Sequence, residues 1–243
     1  MAILLLAAVL AFANLQGTYS GPPTLLDPEF KLWTNAPGGP QLMVWTREIV
    51  RGPNDQAVSN QRETQGKNAL ELGIYQSGSA GWVYESLTET LDGSRVMSLL
   101  NGTVGIWMLK EPCSCDRNPY NKTAVTLALD LNDGLHSLSF LFSDSFTGAL
   151  SLPNQKIVFV PTPSGVWSYQ QLNVREEFAS SHWPIPSNLR FSLVFGVAAG
   201  AVGWHYSYLN SVTVSRGGVQ NILLQYFLSK VATRSMSVIL LKT

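Results

Sequence analysis

The sequence predicts an all-β fold, a jelly-roll β-sandwich of about ten antiparallel strands. Turn residues recur at short intervals, and the runs between them are either apolar or alternate with a period of two. No long amphipathic helical pattern interrupts these runs, and proline occurs mostly between them, where a missing N–H does no harm. With 243 residues, 45% of them hydrophobic, the chain is long enough to bury the core of such a sandwich.

The first element is an apolar N-terminal run, MAILLLAAVLAFA, which carries no charged side chain. About 12 apolar residues are too few to span a membrane. Ala11 and Ala13 fit the small-residue rule for signal cleavage, although the run begins without Lys or Arg. Residues 1–13 are therefore a signal peptide or a retained segment that packs into a neighbouring subunit or a membrane. Residues 14–243 are predicted to form one domain, with a jelly-roll core at about 25–215.

The strands follow from period-two alternation along the chain. In NALELGIYQS, for example, Leu70, Leu72 and Ile74 share one face. The Asp133-Gly134 dipeptide predicts a hairpin turn between two such runs. The predicted strands span 41–46, 68–77, 81–91, 102–110, 123–132, 135–144, 156–161, 165–174, 189–198 and 205–215. Residues 221–232 are predicted to form a short helix, and 235–242 an extra strand.

The charge pattern limits the classes of partner. Charged residues make up only 13% of the chain and the formal net charge is zero, which argues against a nucleic-acid binder and favours an extracellular or assembled protein. All 16 acidic residues lie at or before Glu177, so every charged residue after it is a lysine or an arginine. Two faces of opposite charge would favour head-to-tail contact between copies, although chain order need not map onto surface patches.

Two short patterns are candidates for covalent modification. Cys113 and Cys115 are too closely spaced for an ordinary zinc site, and they are interpreted as loop thiols, or as a redox-active or inter-chain disulfide. Asn101-Gly-Thr and Asn121-Lys-Thr are glycosylation sequons, which matter if the chain is secreted into a glycosylating system.

The search for catalytic residues yields no constellation. The three histidines lack metal-ligand spacing, and neither a G-x-S-x-G nor a phosphate-binding loop motif is present. Glu176 and Glu177 follow an aromatic strand, but neighbouring residues of a strand face opposite ways, so the two carboxylates would not face each other across a sugar. The chain is therefore predicted not to be an enzyme.

The aromatic residues suggest a binding role instead. Trp82 and Trp167 lie inside predicted strands and are expected to fill the core. Trp183 in SSHWPIP and Trp204 and Tyr206 after a glycine-rich loop are the candidates for stacking on sugar rings.

The order of several segments resembles that of jelly-roll carbohydrate-binding modules of the galactose-binding-like kind. The resemblance begins at LLDPEF, continues through GKNALELGIY, GWVYESLT, GVWSYQQLNVREEF and LRFSLVFGV, and closes on YLNSVTV, over residues 25–215. It implies a polysaccharide partner and a structural calcium ion. The matching positions are Asp27, Glu29 and Asn210, and Asn210 stands where the family has an acid.

A second resemblance concerns composition and length. The low charge and the apolar ends are similar to those of secreted jelly-roll subunits of archaeal extracellular tubules of the cannula type, which exchange strands between copies. The function predicted first is a secreted or cell-surface structural protein that self-assembles as a homo-oligomer or polymer, in a filament, tubule or coat. The alternative is a carbohydrate-binding module, and the third hypothesis is a glycan-active hydrolase.

Overall fold

Alternating side chains build two β-sheets that face each other across one apolar core. The computed structural model describes residues 23–36, 39–78, 81–111, 123–144 and 146–216. The strands are β1 Trp33–Ala36, β2 Gly39–Leu42, β3 Thr46–Val50, β4 Gln56–Thr64, β5 Lys67–Gln76, β6 Val83–Asp92, β7 Gly102–Lys110, β8 Thr123–Asp130, β9 Ser137–Ser143, β10 Gly148–Ser151, β11 Gln155–Pro161, β12 Ser168–Leu172, β13 Asn188–Val197 and β14 Gly203–Arg216. Two short helices, α1 Gly93–Leu100 and α2 Val174–Ala179, complete the described secondary structure.

The two main sheets have seven and five strands. The seven-stranded sheet has the order β10-β11-β9-β8-β13-β6-β3, and the five-stranded sheet has the order β12-β7-β14-β5-β4. From β5 to β8 and again from β12 to β14, successive strands lie alternately in the two sheets, which is how a jelly roll is connected. The all-β jelly-roll prediction is therefore confirmed, although fourteen strands are described instead of about ten, and β11 pairs with β9 in parallel.

The core lies between the inner faces of these sheets. Strand β13 contributes Leu189, Phe191, Leu193 and Phe195, each fully buried, and β5 contributes Leu70, Leu72 and Ile74 from the opposite sheet. Because side chains alternate across a strand, the residues between them point outward. Each strand thus has one set of side chains in the core and one set on the surface, and the surface set can carry functional groups.

Several predicted boundaries need correction. The predicted strand 41–46 is split by a bend, so that it contributes to β2 and to the start of β3. Strand β4 and helix α1 were not predicted: QAVSNQRET carries few apolar residues, and GSRVMSLL, although Val96, Leu99 and Leu100 have helical spacing, is only eight residues long. The predicted helix 221–232 and strand 235–242, like the N-terminal segment, lie outside the described residues.

Glu176 and Glu177 follow strand β12, as predicted, but they lie in helix α2, and their treatment as strand residues was wrong. The side chain of Asn173 accepts a hydrogen bond from the Glu176 N–H at 3.2 Å, and its amide donates to the Glu176 carboxylate at 2.7 Å. This reciprocal contact caps the helix, and negative charge in a first helical turn is favourable. Glu177 forms an ion pair of 2.7 Å with Lys156. The acid pair is thus structural.

Candidate functional site

A column of aromatic side chains covers the outer surface of β14. Trp204, Tyr206 and Tyr208 point away from the core, since they alternate with inward-facing residues. The rings of Trp204 and Tyr206 are 5.8 Å apart with nearly parallel planes, and Tyr206 and Tyr208 are 6.4 Å apart at an angle of 20°. Of the candidates taken from the sequence, Trp204 and Tyr206 are therefore brought together.

Strand β5 widens this column at one end. Tyr75 is the register partner of Trp204, and the two ring centroids are 5.6 Å apart. Trp204 is 41% exposed and Tyr75 is half-buried beside it. The two rings together form an accessible apolar corner of the sheet.

A second aromatic pair lies on β7 and β12. Tyr169 is the register partner of Trp107, with ring centroids 5.4 Å apart, and Tyr169 is 47% exposed. The Nζ atom of Lys67 lies 4.7 Å from the centroid of the Trp107 ring, so an ammonium group covers part of this pair. Trp107 pairs with Ser211 on β14, which places this pair roughly 20 Å along the strand from Trp204. We call the set of Tyr75, Trp204, Tyr206, Tyr208, Trp107 and Tyr169 the aromatic face.

Two glycines allow tyrosine rings to approach the sheet closely. Gly73 is the register partner of Tyr206, and a Cβ at Gly73 would be 2.8 Å from the Tyr206 ring. A Cβ at Gly105 would be 2.2 Å from the Tyr169 hydroxyl oxygen. Any larger residue would push these rings away from the backbone. The glycines therefore let the two tyrosine rings approach the backbone of the sheet closely.

Polar side chains are fixed among the rings. Arg62 donates to the Glu71 carboxylate at 2.7 Å, and Glu71, only 4% exposed, is the register partner of Tyr208. The Tyr208 hydroxyl donates to Glu111 at 3.2 Å. Burial and the nearby Glu111 and Glu71 carboxylates raise the pKa of the Tyr208 phenol, so it remains a hydrogen-bond donor at neutral pH. The buried Glu71 thus fixes Arg62, whose side chain is 56% exposed, as an accessible donor beside the rings.

A polar groove of about 640 Å³ opens beside the aromatic face, at the turn between β4 and β5. Its lining includes Glu29, Lys31, Arg62, Lys67, Asn68 and Asn210. Arg62 and Lys67 also belong to the surroundings of the aromatic face, so the groove continues it towards the edge strand β4.

The residues predicted to bind calcium are engaged in other contacts. The buried Asp27 carboxylate accepts the N–H groups of Lys31 at 2.8 Å and Leu32 at 3.0 Å, while Glu29 is ion-paired with Lys31. The Asn210 amide donates to the Asn68 carbonyl at 2.6 Å. Calcium needs six to eight oxygen ligands, and this arrangement does not fit that requirement. Within the described ranges, no group of three or more His, Cys, Asp or Glu side chains could hold a metal ion. Calcium binding stays a prediction.

Trp183 lies apart from the aromatic face. Its indole N–H donates to the Pro153 carbonyl at 3.0 Å, and its ring packs against Phe178 and His136. It is half-buried near the end of the seven-stranded sheet. A binding role for Trp183 stays a prediction, but the structure does not bring it together with Trp204 and Tyr206.

Two tryptophans expected in the core lie outside it. Trp82 is 53% exposed on the outer surface of the seven-stranded sheet. Trp167 is half-buried on the outer side of the five-stranded sheet, where it packs against the cluster of Ala69, Leu109 and Tyr208, and its N–H donates to the Thr64 carbonyl at 3.3 Å. Alternation identified the strands correctly, but it does not tell which of two apolar phases faces inward.

The remaining predicted sites are placed only in part. Asn101 is exposed at the end of α1, where its amide donates to the Met97 carbonyl at 3.0 Å, and its glycosylation stays a prediction. Cys113, Cys115 and Asn121 lie outside the described residues. Among the helices that are described, none is long and apolar enough to cross a membrane.

Tyr75, Trp107, Tyr169 and Tyr208 were not predicted as site residues. The available signal was the alternating aromatic pattern WHYSY at residues 204–208. The register is a tertiary property, so the sequence alone could not show that these rings share one surface.

No protein-family profile matches the chain, and no curated protein matches it in sequence. Among solved structures, it is similar to a family 11 carbohydrate-binding module from Clostridium thermocellum in complex with a β-1,3-1,4-mixed-linked tetrasaccharide. The TM-score is 0.39 at 10% identity, covering 72% of this chain and 89% of the module. A family 30 carbohydrate-binding module of a cellulosomal cellulase from the same organism gives a TM-score of 0.43 at 13% identity, covering 77% and 96%.

An enzyme domain is similar to the same extent. The xyloglucanase domain of NopAA, a type three effector from Sinorhizobium fredii, in complex with cellobiose, gives a TM-score of 0.43 at 8% identity, covering 70% of this chain and 92% of that domain. All three TM-scores are below 0.5, so function has to be inferred from the residues of this chain.

Proposed function

We propose that this chain is a non-catalytic carbohydrate-binding protein that acts outside the cell or at its surface, and that the aromatic face is its binding site. The aromatic face itself carries the proposal: six rings, two of them packed closely over glycine, lie on one side of a sheet. One side of a sugar ring consists largely of C–H groups, which pack well on an aromatic face, while the hydroxyl groups at the rim need polar partners.

The site has the shape of a platform and continues into the polar groove at the β4–β5 turn. Its aromatic groups extend over roughly 20 Å, which exceeds the size of a single sugar ring and suits a chain of several sugars. The exposed guanidinium group of Arg62, held by Glu71, and the Glu111 carboxylate supply polar groups beside the rings. We therefore favour a polysaccharide over a monosaccharide as the ligand.

Binding without hydrolysis is the favoured activity. Glycoside hydrolysis needs two carboxyl groups roughly 5–9 Å apart that both reach the scissile bond. Glu71 is buried and bonded to Arg62, and Glu111 accepts the Tyr208 hydroxyl. Both carboxylates therefore organise the platform. Release of reducing ends that is abolished by Glu71→Gln or Glu111→Gln would establish the hydrolase hypothesis instead.

The direct test is electrophoresis through gels that contain mixed-linkage β-1,3-1,4-glucan, xyloglucan or xylan. We expect at least one of these polysaccharides to retard the protein. Trp204→Ala and Tyr206→Ala should each weaken the retardation about fivefold, as expected for one stacking interaction of about 1 kcal/mol. Leu135→Ala, at a residue that is 61% exposed on a distant turn, is the matched control and should change nothing. Failure of all three gels to retard the intact protein would contradict the proposal.

Self-assembly is the second candidate function, and one observation favours it. Strand β10 lies at the edge of the seven-stranded sheet with all four residues exposed, and it carries no charged side chain that would discourage pairing. Leu150 and Leu152 are 47% and 50% exposed there. If copies pair through this edge, sedimentation will show oligomers that Leu150→Lys dissociates. A monomer at all concentrations would contradict this candidate.

A further inference from the structure

A second exposed aromatic surface lies on the opposite side of the sandwich. Trp82, directly before β6, is 53% exposed. It shares the outward phase of this strand with Tyr84, whereas Val83 and Leu87 point into the core. The seven-stranded sheet separates this surface from the aromatic face, so one ligand ring cannot touch both.

The Trp82 ring is held against the sheet in the same way as the tyrosines of the aromatic face. A Cβ at Gly196 would lie 3.3 and 3.5 Å from two carbon atoms of the indole ring, and 3.7 Å from the Cβ of Tyr84. Gly196 pairs with Tyr84 on one side and with Ala124 on the other. Two small residues on adjacent strands thus leave a shallow depression in which the indole lies over the backbone.

Hydroxyl-bearing residues lie further along the same outer surface, in the rows beyond Tyr84 and Gly196, although Ser86 and Thr88 are each only 6% exposed. The next outward row of the sheet holds Ser86 and Thr126, which are both register partners of Val194. In the row beyond it, the hydroxyl groups of Thr88 and Ser192 are 2.8 Å apart. Strands β6, β13 and β8 carry no charged side chain in either of these rows, but Glu48 on β3 is the register partner of Ser86 and lies 3.9 Å from Arg190. An exposed indole ring, with the half-buried Thr126 and Ser192 further along the same surface, matches the chemistry of a sugar.

We infer that Trp82, supported by Gly196 and Tyr84, forms a second binding site for a glycan chain, and that the module is bivalent. The inference takes its ligand class from the proposed function, but the residues that carry it are separate from the aromatic face. A protein with a platform on each side of the sandwich can hold two polysaccharide chains at once. Bivalence raises the apparent affinity for a long polymer above that for a short oligosaccharide.

The test compares the intact protein with Trp82→Ala, with the double variant Trp204→Ala/Tyr206→Ala, and with the triple variant that combines them. Each is run through gels of mixed-linkage β-1,3-1,4-glucan, xyloglucan and xylan, and its melting temperature confirms folding. We expect Trp82→Ala to weaken retardation about threefold to tenfold, the double variant to keep residual retardation, and the triple variant to lose it. Trp82→Phe should recover part of the effect, and Leu135→Ala should have none.

The outcomes separate the two proposals. If Trp82→Ala does not change retardation, either in the intact protein or in the Trp204→Ala/Tyr206→Ala variant, the second site is overturned and the proposal for the aromatic face is unaffected. Loss with Trp82→Ala alone, combined with normal retardation of the double variant, supports the second site and contradicts the aromatic face. A change in sedimentation without a change in retardation identifies Trp82 as a contact between copies and overturns the inference. No retardation of the intact protein by any of the three polysaccharides overturns both.

Discussion

The ring of Tyr206 on β14 lies directly over Gly73 on β5, its partner in the sheet. The same glycine position would place a Cβ 2.9 Å from the methyl group of Val58 on β4. Side chains of β14 and β4 therefore fill the space above Gly73 on β5, where any other residue would place its Cβ. The orientation of Tyr206, and with it the middle of the proposed binding site, depends on a residue that would not itself touch the sugar.

Gly73→Ala tests this dependence. The new methyl group forces the Tyr206 ring to tilt, so we expect polysaccharide retention to fall about fivefold. Overpacking should lower the free energy of unfolding by about 1–3 kcal/mol. Retention is measured by affinity electrophoresis, and stability by denaturant titration. Combining Gly73→Ala with Tyr206→Ala should weaken retention no further than Tyr206→Ala alone, since the two changes act on the same ring. Additive losses would contradict this.

Lys67→Ala should strengthen the binding of a neutral polysaccharide. The Lys67 ammonium group lies over Trp107, and a sugar that stacks there has to displace it. An exposed cation–π contact contributes about 0.5–1 kcal/mol, so its removal should tighten binding about twofold to fivefold. Titration calorimetry with xyloglucan oligosaccharides measures the change, and Lys67→Arg, which keeps the cation, is the control. Weaker binding by Lys67→Ala would show that the ammonium group contacts the ligand instead.

Arg47→Met should destabilise the protein most strongly at neutral pH. Arg47 is bonded at 2.5 Å to Glu85, whose side chain is fully buried between the sheets. Removing the cation leaves a buried carboxylate unpaired, at a cost of about 3 kcal/mol. Burial raises the pKa of Glu85 even beside Arg47, so the folded state binds a proton more readily than the unfolded state does.

The raised pKa of Glu85 determines how stability depends on pH. Between the usual pKa of a glutamate and the raised pKa of Glu85, the folded protein holds more protons, so its stability rises as the pH falls. We expect the deficit of Arg47→Met to shrink when thermal melts are repeated from pH 7 towards pH 5. The double variant Arg47→Met/Glu85→Met should be at least as stable as the intact protein at pH 7. An unchanged deficit across this range would contradict the prediction.

Asp27→Ala should destabilise the fold whether or not calcium is present. The buried carboxylate satisfies two backbone N–H groups in the segment that leads into β1, and leaving them without an acceptor costs roughly 2–3 kcal/mol. Thermal melts in calcium and in EDTA measure this, with Glu29→Gln as the control for a second predicted ligand. If calcium raises the melting temperature of the intact protein and fails to do so in Asp27→Ala, the calcium prediction is supported.

The strands could be predicted from the sequence because their signal is local. Each period-two run, from NALELGIYQS to HYSYLNSVTVS, forms a strand within a few residues of its predicted bounds. Helix α2 could also have been predicted, because Asn173 and Glu176 stand at the spacing of a reciprocal cap. Strand β10 has too few residues to show a period at all.

The site could be predicted only in part because it depends on register. Trp204 and Tyr206 were found from their position after a glycine-rich loop, but Tyr75 joins them through a pairing between strands far apart in the sequence. Trp82 shows the limit most clearly. Its run alternates correctly, and both of its phases contain apolar residues, so only the packing of the second sheet decides which phase is the core.

The two-phase construction of β14 separates recognition from folding. Trp204, Tyr206 and Tyr208 point outward, whereas Leu209 and Val212 point into the core. Asn210 has no register partner on β7, and this bulge shifts the alternation of side chains between Leu209 and Val212. Substitutions in the outward phase can therefore change what is recognised while the inward phase preserves the fold. Insertion or deletion of one residue near Asn210 would instead exchange inside for outside along the rest of the strand. Such a scaffold can acquire new ligands by point substitution, but its strand lengths should be almost fixed over evolutionary time.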